Sequence, residues 1–258
     1  MPKLTEKAIH AGSLILVNEQ YGVQGEPDDL LVPACDRIPG ILLQRCAASL
    51  LNELMQEIHG WRSIVPVSGY RSLEEQQRIW DDSLRENGAE FTGKYVAIPG
   101  HSEHQTGLAI DLGLKQEQID FIRPDFPCTG ICQTFRERAA KYGFILRYPP
   151  GKEAITGIAH EPWHFRYVGT PHAEIMSEND LTLEEYTAFI KQFPYHRNPY
   201  LTRCGFREIR IGYLSAAEAA DTRLPDGLPR TVSGNNTDGF ILTEWRQKHE
   251  STKELWPA

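Results

Sequence analysis

Residues 102–111 read Ser-Glu-His-Gln-Thr-Gly-Leu-Ala-Ile-Asp, and this segment predicts a strand that carries a candidate metal ligand. From position 108 to position 113, large apolar residues alternate with Ala, Asp and Gly, which is the period-two pattern of a strand. Asp111 therefore shares its strand face with small residues, which leaves room for an ion. His104 precedes the glycine turn that leads into the strand.

A second cluster, at residues 160–164, reads His-Glu-Pro-Trp-His and matches the H-E-x-x-H pattern of helical zinc peptidases. That pattern requires a helix, and Pro162 is tolerated only in the first turn of one, which would leave His160 outside. The residues after Pro162 are aromatic and β-branched and favour a strand. Two histidines four residues apart on a strand face lie about 13 Å from each other. We therefore expect His164 to be a ligand and His160 to be a supporting or structural residue.

Together the two clusters supply the ligand types that zinc prefers. A catalytic zinc site uses three nitrogen, sulfur or carboxylate ligands and leaves one position for water. His104, Asp111 and His164 fit that set, which predicts one Zn²⁺ per chain. Glu161 precedes the strand that carries His164, so its carboxylate can take a proton from water at the metal and pass it to a leaving amine. The alternative, ordinary surface or turn residues, fits each side chain alone better than it fits the set.

Composition excludes other classes of function. The 258 residues carry a net charge of −8 and no basic run, which argues against a nucleic-acid partner. The five scattered cysteines fit a reducing compartment, and Cys128 and Cys132 lack the second pair of a zinc ribbon. The apolar run at residues 14–17 is too short for a signal peptide or a membrane span. We expect a cytoplasmic protein without a membrane partner.

The order of predicted elements indicates an α+β fold in two parts. Residues 1–193 form the main domain, a plausible linker covers 194–199, and residues 194–258 form a small β-rich C-terminal appendage. The predicted helices cover residues 40–59, 72 to about 85, 115–122, 132–142 and 183–193, and the predicted strands cover 64–67, 108–113, 144–148, 163–168, 208–214 and 240–245.

These motifs resemble those of the VanY/VanX group of zinc D,D-peptidases. The group's motif S-x-H-x-x-G-x-A-x-D is met at every fixed position of residues 102–111, and its motif E-x-x-H is met at residues 161–164. Residues 68–76 are similar to its S-G-[YW]-R-S-x-x-x-Q segment. Three motifs in the group's order make the match specific. Without a signal or anchor, the chain is most similar to the VanXY type, which combines dipeptidase and carboxypeptidase activities in the cytoplasm.

The resemblance implies roles for individual residues and a fold. His104, Asp111 and His164 match the zinc ligands, Glu161 matches the catalytic base, and Arg71 matches the arginine that steadies the oxyanion. The implied fold is a Hedgehog/D,D-peptidase-like domain with a central antiparallel sheet and flanking helices. The expected substrate contacts are Tyr70, Gln76, Ser102 and Trp163, of which the last is equally well read as a core aromatic.

The implied reaction is hydrolysis of the D-Ala-D-Ala bond in the free dipeptide or at the end of peptidoglycan pentapeptide precursors, as part of vancomycin-type resistance. A wall-lytic endopeptidase of the same group is the first alternative. A non-catalytic, Hedgehog-like zinc module is the second, and it would lack the base or the oxyanion arginine. Glu161 and Arg71 are both present, which favours an enzyme.

Overall fold

Two four-stranded antiparallel sheets organise the computed structural model, which describes residues 4–204, 207–224 and 227–247. In chain order the strands and helices are β1 Leu31–Cys35, β2 Ile38–Gln44, α1 Arg45–Glu57, β3 Ile64–Ser68, α2 Leu73–Tyr95, β4 Ala109–Leu114, α3 Gly130–Ala139, β5 Phe144–Leu146, α4 Glu153–Thr156, β6 His164–Tyr167, α5 His172–Glu178, α6 Leu183–Ile190, β7 Tyr200–Cys204, β8 Arg207–Ser215, α7 Ala216–Asp221, β9 Arg230–Gly234 and β10 Gly239–Gln247. None of the described helices is both long enough and apolar enough to cross a membrane. The predicted α+β class with antiparallel sheets and helices is confirmed.

The first sheet has the strand order β3-β4-β6-β5 and brings two distant parts of the sequence together. In the register of β4 and β6, Asp111 lies directly opposite His164. Residues opposite each other on antiparallel strands have side chains about 5 Å apart on one face. Strand pairing therefore places this carboxylate beside this imidazole, although 53 positions separate them in the sequence.

The other face of this sheet is built into the main apolar core. Ile110 and Leu112 of β4 are fully buried in a cluster with residues of α1 and α3. Because neighbouring strand residues point to opposite faces, burying these two side chains turns Asp111 toward the other face. The alternation predicted from the sequence is thus what positions the candidate ligand.

Three predicted helices differ from the observed structure. The helix predicted to end near residue 85 continues as α2 to Tyr95, with a kink at Gly88. The helix predicted from residue 40 begins only at Arg45, because residues 38–44 form β2 and pair with β1. The helix predicted at 115–122 is wrong, since that segment is a loop. There the Oδ1 atom of Asp120 accepts hydrogen bonds from the backbone N–H groups of Ile122 and Arg123 at 2.8 and 2.9 Å. An aspartate that binds nearby backbone donors in this way competes with a helix.

The second sheet, with the order β7-β8-β10-β9, contains the strands predicted near residues 208–214 and 240–245. It packs on the rest of the chain through an apolar cluster that joins Ile211 and Ile241 to Leu14 and Ile145. The predicted linker starts inside this packing, because Tyr195 is buried and its N–H donates to a carbonyl of β8. Residues 248–258 lie outside the described residues, and a domain boundary after residue 193 stays a prediction.

Candidate metal centre

Three buried side chains converge beside β4. His104, Asp111 and His164 each offer one ligand atom, and the three atoms lie within 4.8 Å of one another. Nε2 of His104 is 3.1 Å from Oδ2 of Asp111, and Nδ1 of His164 is 3.0 Å from Oδ1 of the same carboxylate. Within the described ranges no other group of His, Cys, Asp and Glu residues has this geometry.

Each imidazole is oriented by a hydrogen bond at its other nitrogen. Nδ1 of His104 lies 2.6 Å from the carbonyl oxygen of Gly69, which leaves Nε2 facing Asp111. Nε2 of His164 lies 3.4 Å from a carboxylate oxygen of Glu103, which leaves Nδ1 facing Asp111. The backbone at Gly69 lies against β2, and a Cβ added to this glycine would lie 2.3 Å from the carbonyl oxygen of Leu42. A glycine at position 69 therefore allows the segment that orients His104 to pass close to β2.

The electrostatics of the cluster fit a divalent cation. Burial alone would raise the pKa of Asp111, but the neighbouring His104 and His164 hold it well below its usual range, so the group is a carboxylate. In the part of the chain that the structure describes, its buried Oδ1 atom accepts no hydrogen bond. A buried carboxylate oxygen without a donor is costly unless another ligand satisfies it. Two imidazoles and one carboxylate are a donor set that zinc accepts.

Two further charged groups border the cluster. The carboxylate of Glu161 lies 3.7 Å from Nδ1 of His164, and burial raises the pKa of Glu161 to about 8. Arg71 lies on the other side, where Nη2 is 3.2 Å from Oδ2 of Asp111 and Nε donates to Ser68 at 2.9 Å. A proton acceptor and a fixed cation thus face the same space as the candidate ligands.

The structure excludes the helical interpretation of the H-E-x-x-H pattern. His160 lies in the loop before β6, and its Nδ1 is 2.7 Å from the backbone carbonyl of Tyr148. It does not belong to the convergent set. The expectation that Pro162 keeps His160 and His164 out of a common helix agrees with this arrangement.

The four expected substrate contacts divide into two pairs. Ser102 and Trp163 are buried and line the cleft that also contains the candidate ligands. Gln76 does not line this cleft, because its amide accepts from Arg71 at 3.0 Å and donates to the carbonyl of Ala97 at 2.8 Å. It contacts Arg71 from behind the cleft, and its expected contact with substrate stays a prediction.

Tyr70 also lies outside the lining of the cleft, and its expected contact with substrate stays a prediction. Its N–H donates to the carbonyl of Leu42, and its side chain does not line the cleft. Burial, together with the negative charges of Glu26, Glu75 and Glu74, raises the pKa of its phenol. Because successive side chains in an extended segment alternate in direction, aiming Arg71 into the site turns Tyr70 toward this acidic surface.

The sequence did not single out a buried ionic network behind His164. The fully buried Glu103 contacts Arg147 at 2.7 Å and Arg166 at 2.8 Å, and both arginines have no exposed surface. Arginine inside an aromatic or β-branched run, as in Leu-Arg-Tyr and Phe-Arg-Tyr, is the signal that could have indicated a buried partner. Tyr148, which lines the cleft with its ring centroid 4.9 Å from that of His164, was also missed.

Comparisons with known proteins agree with this geometry. A family model described as D-alanyl-D-alanine carboxypeptidase (VanY) matches residues 40–170. The chain is 44% identical over 184 residues to the bifunctional D-Ala-D-Ala dipeptidase and D-Ala-D-Ala carboxypeptidase VanXYC of Enterococcus gallinarum, covering 70% of this chain and 96% of the relative.

Two solved structures extend the likeness to the fold. The vancomycin resistance D,D-dipeptidase VanXYg, in complex with a D-Ala-D-Ala phosphinate analog, is 51% identical with a TM-score of 0.88, covering 93% of this chain and 96% of that one. A mutant of the D,D-pentapeptidase VanY from the VanB-type resistance cassette, in complex with Zn(II), is 32% identical with a TM-score of 0.55, covering 68% and 98%. The chain therefore belongs to the VanY family of D-alanyl-D-alanine carboxypeptidases.

Proposed function

We propose that the protein is a zinc-dependent peptidase that hydrolyses the D-Ala-D-Ala bond, in the free dipeptide and at the C-terminus of peptidoglycan pentapeptide precursors. One observation carries the proposal. Three buried ligand atoms lie within 4.8 Å of one another, with an orphan carboxylate oxygen among them and with Glu161 and Arg71 at their border. The activities named for the relatives supply the substrate class.

The metal part of the proposal assigns one Zn²⁺ to His104, Asp111 and His164. When bound there, the ion supplies a Lewis acid that activates water and polarises a carbonyl. The Zn(II) complex of the VanY relative supports this choice of metal. The chain's own contribution is to hold three ligand atoms in place by strand register and by hydrogen bonds to each imidazole.

Glu161 is assigned the proton transfers. Its carboxylate is buried beside His164, so it can take a proton from the attacking water and deliver it to the amine of the departing D-alanine. Burial raises its pKa to about 8, and a carboxyl group with an elevated pKa both accepts and returns a proton readily near neutral pH. Positioned general acid–base groups of this kind contribute about 10²–10⁴-fold to the rate.

Arg71 is assigned the role of stabilising the negative charge that develops on the carbonyl oxygen of the substrate. Its guanidinium is fixed by Ser68, Gln76 and Asp111, so it needs little reorganisation during the reaction. Preorganised donors at such a position are worth about 10²–10³-fold in rate. The hydroxyl of Ser102 is the proposed donor to the substrate carboxylate, and Trp163 is the proposed wall of the small D-alanine pocket.

The proposed role in the cell follows from the substrate. Removing termini that end in D-Ala-D-Ala removes the structures that vancomycin binds, and the relative VanXYg is named for this resistance. The cytoplasmic location stays a prediction, which cell fractionation with an antibody to this chain would test.

The test compares three substrates with the purified, zinc-loaded protein. D-Alanine release is measured from D-Ala-D-Ala, from a pentapeptide ending in D-Ala-D-Ala and from intact peptidoglycan, with and without a chelator. We expect release from one or both of the first two, loss of activity on chelation, and recovery with Zn²⁺. Release of peptide fragments from intact peptidoglycan, without D-alanine release from the other two substrates, would indicate a wall-lytic endopeptidase. Zinc binding without any hydrolysis would indicate a non-catalytic module.

A further inference from the structure

The fully buried Glu103 is the first residue of the short 3-10 helix Glu103–Thr106, which also carries His104. Its carboxylate meets His164 on one side and two buried arginines on the other. We propose that Glu103 is a positioning residue that fixes the ring and tautomer of His164, so that Nδ1 faces the metal. This inference rests on the proposed zinc site, but it concerns contacts that none of the three family motifs assigns.

The two oxygens of Glu103 have different partners. Oε1 accepts from Nε of Arg147 at 2.7 Å and from Nη1 of Arg166 at 2.8 Å. Oε2 faces Nε2 of His164 at 3.4 Å. Two buried guanidinium groups donate to this carboxylate, and such contacts favour its charged form. The carboxylate is therefore an acceptor, and its free oxygen is directed at His164.

The two arginines are held firmly enough to act as anchors. Arg147 also donates to Glu184 of α6 at 2.6 and 2.9 Å. Arg166 also donates to the backbone carbonyls of Ser13 and Ile15 at 3.0 Å each. Two guanidinium and two carboxylate charges balance in this network, which lowers the cost of burying them. A rigid network behind the carboxylate leaves it one orientation.

The two candidate histidine ligands therefore differ in the group that orients each imidazole ring. A neutral backbone carbonyl orients His104, whereas a charged carboxylate orients His164. A carboxylate partner makes an imidazole a stronger metal ligand, and loss of such a partner typically costs 10–100-fold in metal affinity or activity. We expect Glu103 to contribute to zinc affinity although it is not itself one of the three candidate ligands.

The variant Glu103→Gln tests the positioning role at the level of single atoms. Both arginines donate hydrogen bonds to Oε1 of Glu103, so in the variant the amide oxygen of glutamine should occupy that position. The amide NH₂ then occupies the Oε2 position and opposes Nε2 of His164. A donor at that point favours the tautomer with its proton on Nδ1, which is the atom needed by the metal.

Zinc affinity is measured by competition with a chromophoric chelator at pH 7.5, on protein whose fold is checked by circular dichroism. We expect Glu103→Gln to weaken zinc binding 10–100-fold. The control Glu184→Gln removes the same charge from the same network without touching His164, and we expect its zinc affinity to match that of the unaltered protein. Equal losses in both variants, or no loss in Glu103→Gln, would overturn the positioning role. A failure of the unaltered protein to bind zinc would instead reject the proposed function.

A second measurement needs no substitution and applies even if Glu103→Gln does not fold. In the zinc-loaded, ¹⁵N-labelled protein, imidazole nitrogen shifts identify the atom that binds the metal. We expect Nδ1 of His164 and Nε2 of His104 to be metal-bound, with a proton on Nε2 of His164. Coordination of zinc through Nε2 of His164 would contradict the inference, because that atom would then be unable to donate to Glu103.

Discussion

The two four-stranded sheets each bury an acidic residue, and the two carboxylates differ in whether both of their oxygens have bonding partners. Both oxygens of Glu244 in β10 have partners: Oε1 lies 2.6 Å from the Tyr195 hydroxyl and 3.4 Å from Arg230, and Oε2 lies 3.3 Å from Arg246. Asp111 in β4 is also buried, yet its Oδ1 atom accepts no hydrogen bond from the described residues, although Nδ1 of His164 lies 3.0 Å away. The first acid belongs to a closed network, whereas the second leaves an oxygen for a ligand.

This difference shows that burial of charge alone does not mark a functional site. Glu103, Glu244 and Asp111 are all buried, and the first two are satisfied by arginines. Only Asp111 combines an unsatisfied oxygen with two converging imidazoles and a cleft. Structural acids stabilise the fold through their partners, and the candidate site is found where partners are missing.

Removing one carboxylate from each region should give the sharpest contrast. We expect Glu161→Gln to lower kcat for D-Ala-D-Ala by about 10²–10⁴-fold while the zinc content stays the same, because the variant loses the proton acceptor but no ligand. Glu244→Gln should lower the free energy of unfolding, because the arginines around it lose their counter-charge. Turnover per folded molecule should not change in that variant. Normal turnover in Glu161→Gln would remove the distinction between the two sheets.

A smaller, pH-dependent effect concerns the contact between the two regions. His172 of α5 is buried, with Nδ1 at 2.6 Å from the Tyr186 hydroxyl and Nε2 at 3.0 Å from Oγ1 of Thr243 in β10. Burial lowers the pKa of His172 to about 3 from 6.5. The unfolded chain therefore binds a proton at this residue below about pH 6.5, whereas the folded chain does not.

The contribution of neutral His172 to the free energy of unfolding is therefore fully present above about pH 6.5, and it decreases as the pH falls toward 3. At pH 5.5 the loss is on the order of 1 kcal/mol, and His172→Asn, which cannot titrate, should escape it. Urea unfolding at pH 7.5 and pH 5.5 should show that the stability difference between the unaltered protein and the variant shrinks by about this amount. The same difference at both pH values would mean that His172 does not titrate on unfolding.

The smallest predicted effect compares two helix caps. Ser72 caps α2 in the first region, and Ser215 caps α7 beside the second sheet, each in a capping box with a glutamate. Replacing either by alanine should cost about 1 kcal/mol of stability. Ser72→Ala should also lower kcat, because α2 carries Gln76, which holds Arg71. Urea unfolding and steady-state kinetics separate the two outcomes, and a kinetic defect in Ser215→Ala would contradict the division of roles.

The sequence predicted the parts of the structure that depend on local pattern. Alternation around Asp111 predicted β4, and Pro162 correctly argued against a helical H-E-x-x-H site. The convergence of His104, Asp111 and His164 followed from motif order, but their metal role stays a prediction. Local pattern failed at β2, which fits a helical apolar pattern but pairs with the neighbouring strand β1, and at Asp120, whose side chain binds the backbone and prevents a helix.

The ionic network behind His164 could not be read from the sequence. Nothing local distinguishes Glu103, which is fully buried, from a glutamate on the surface, because its partners Arg147 and Arg166 are 44 and 63 positions away. Likewise, Gln76 fits the family motif, but only the structure shows that both ends of its amide are occupied. Contacts that depend on three-dimensional closure, rather than on periodicity, required the folded chain.

Anomalous X-ray diffraction at the zinc absorption edge, on crystals of the zinc-loaded protein, tests the central claim most directly. We expect one strong anomalous peak per chain, within ligand distance of Nε2 of His104, the carboxylate of Asp111 and Nδ1 of His164. A peak beside His160, or no peak between these three side chains, would contradict it.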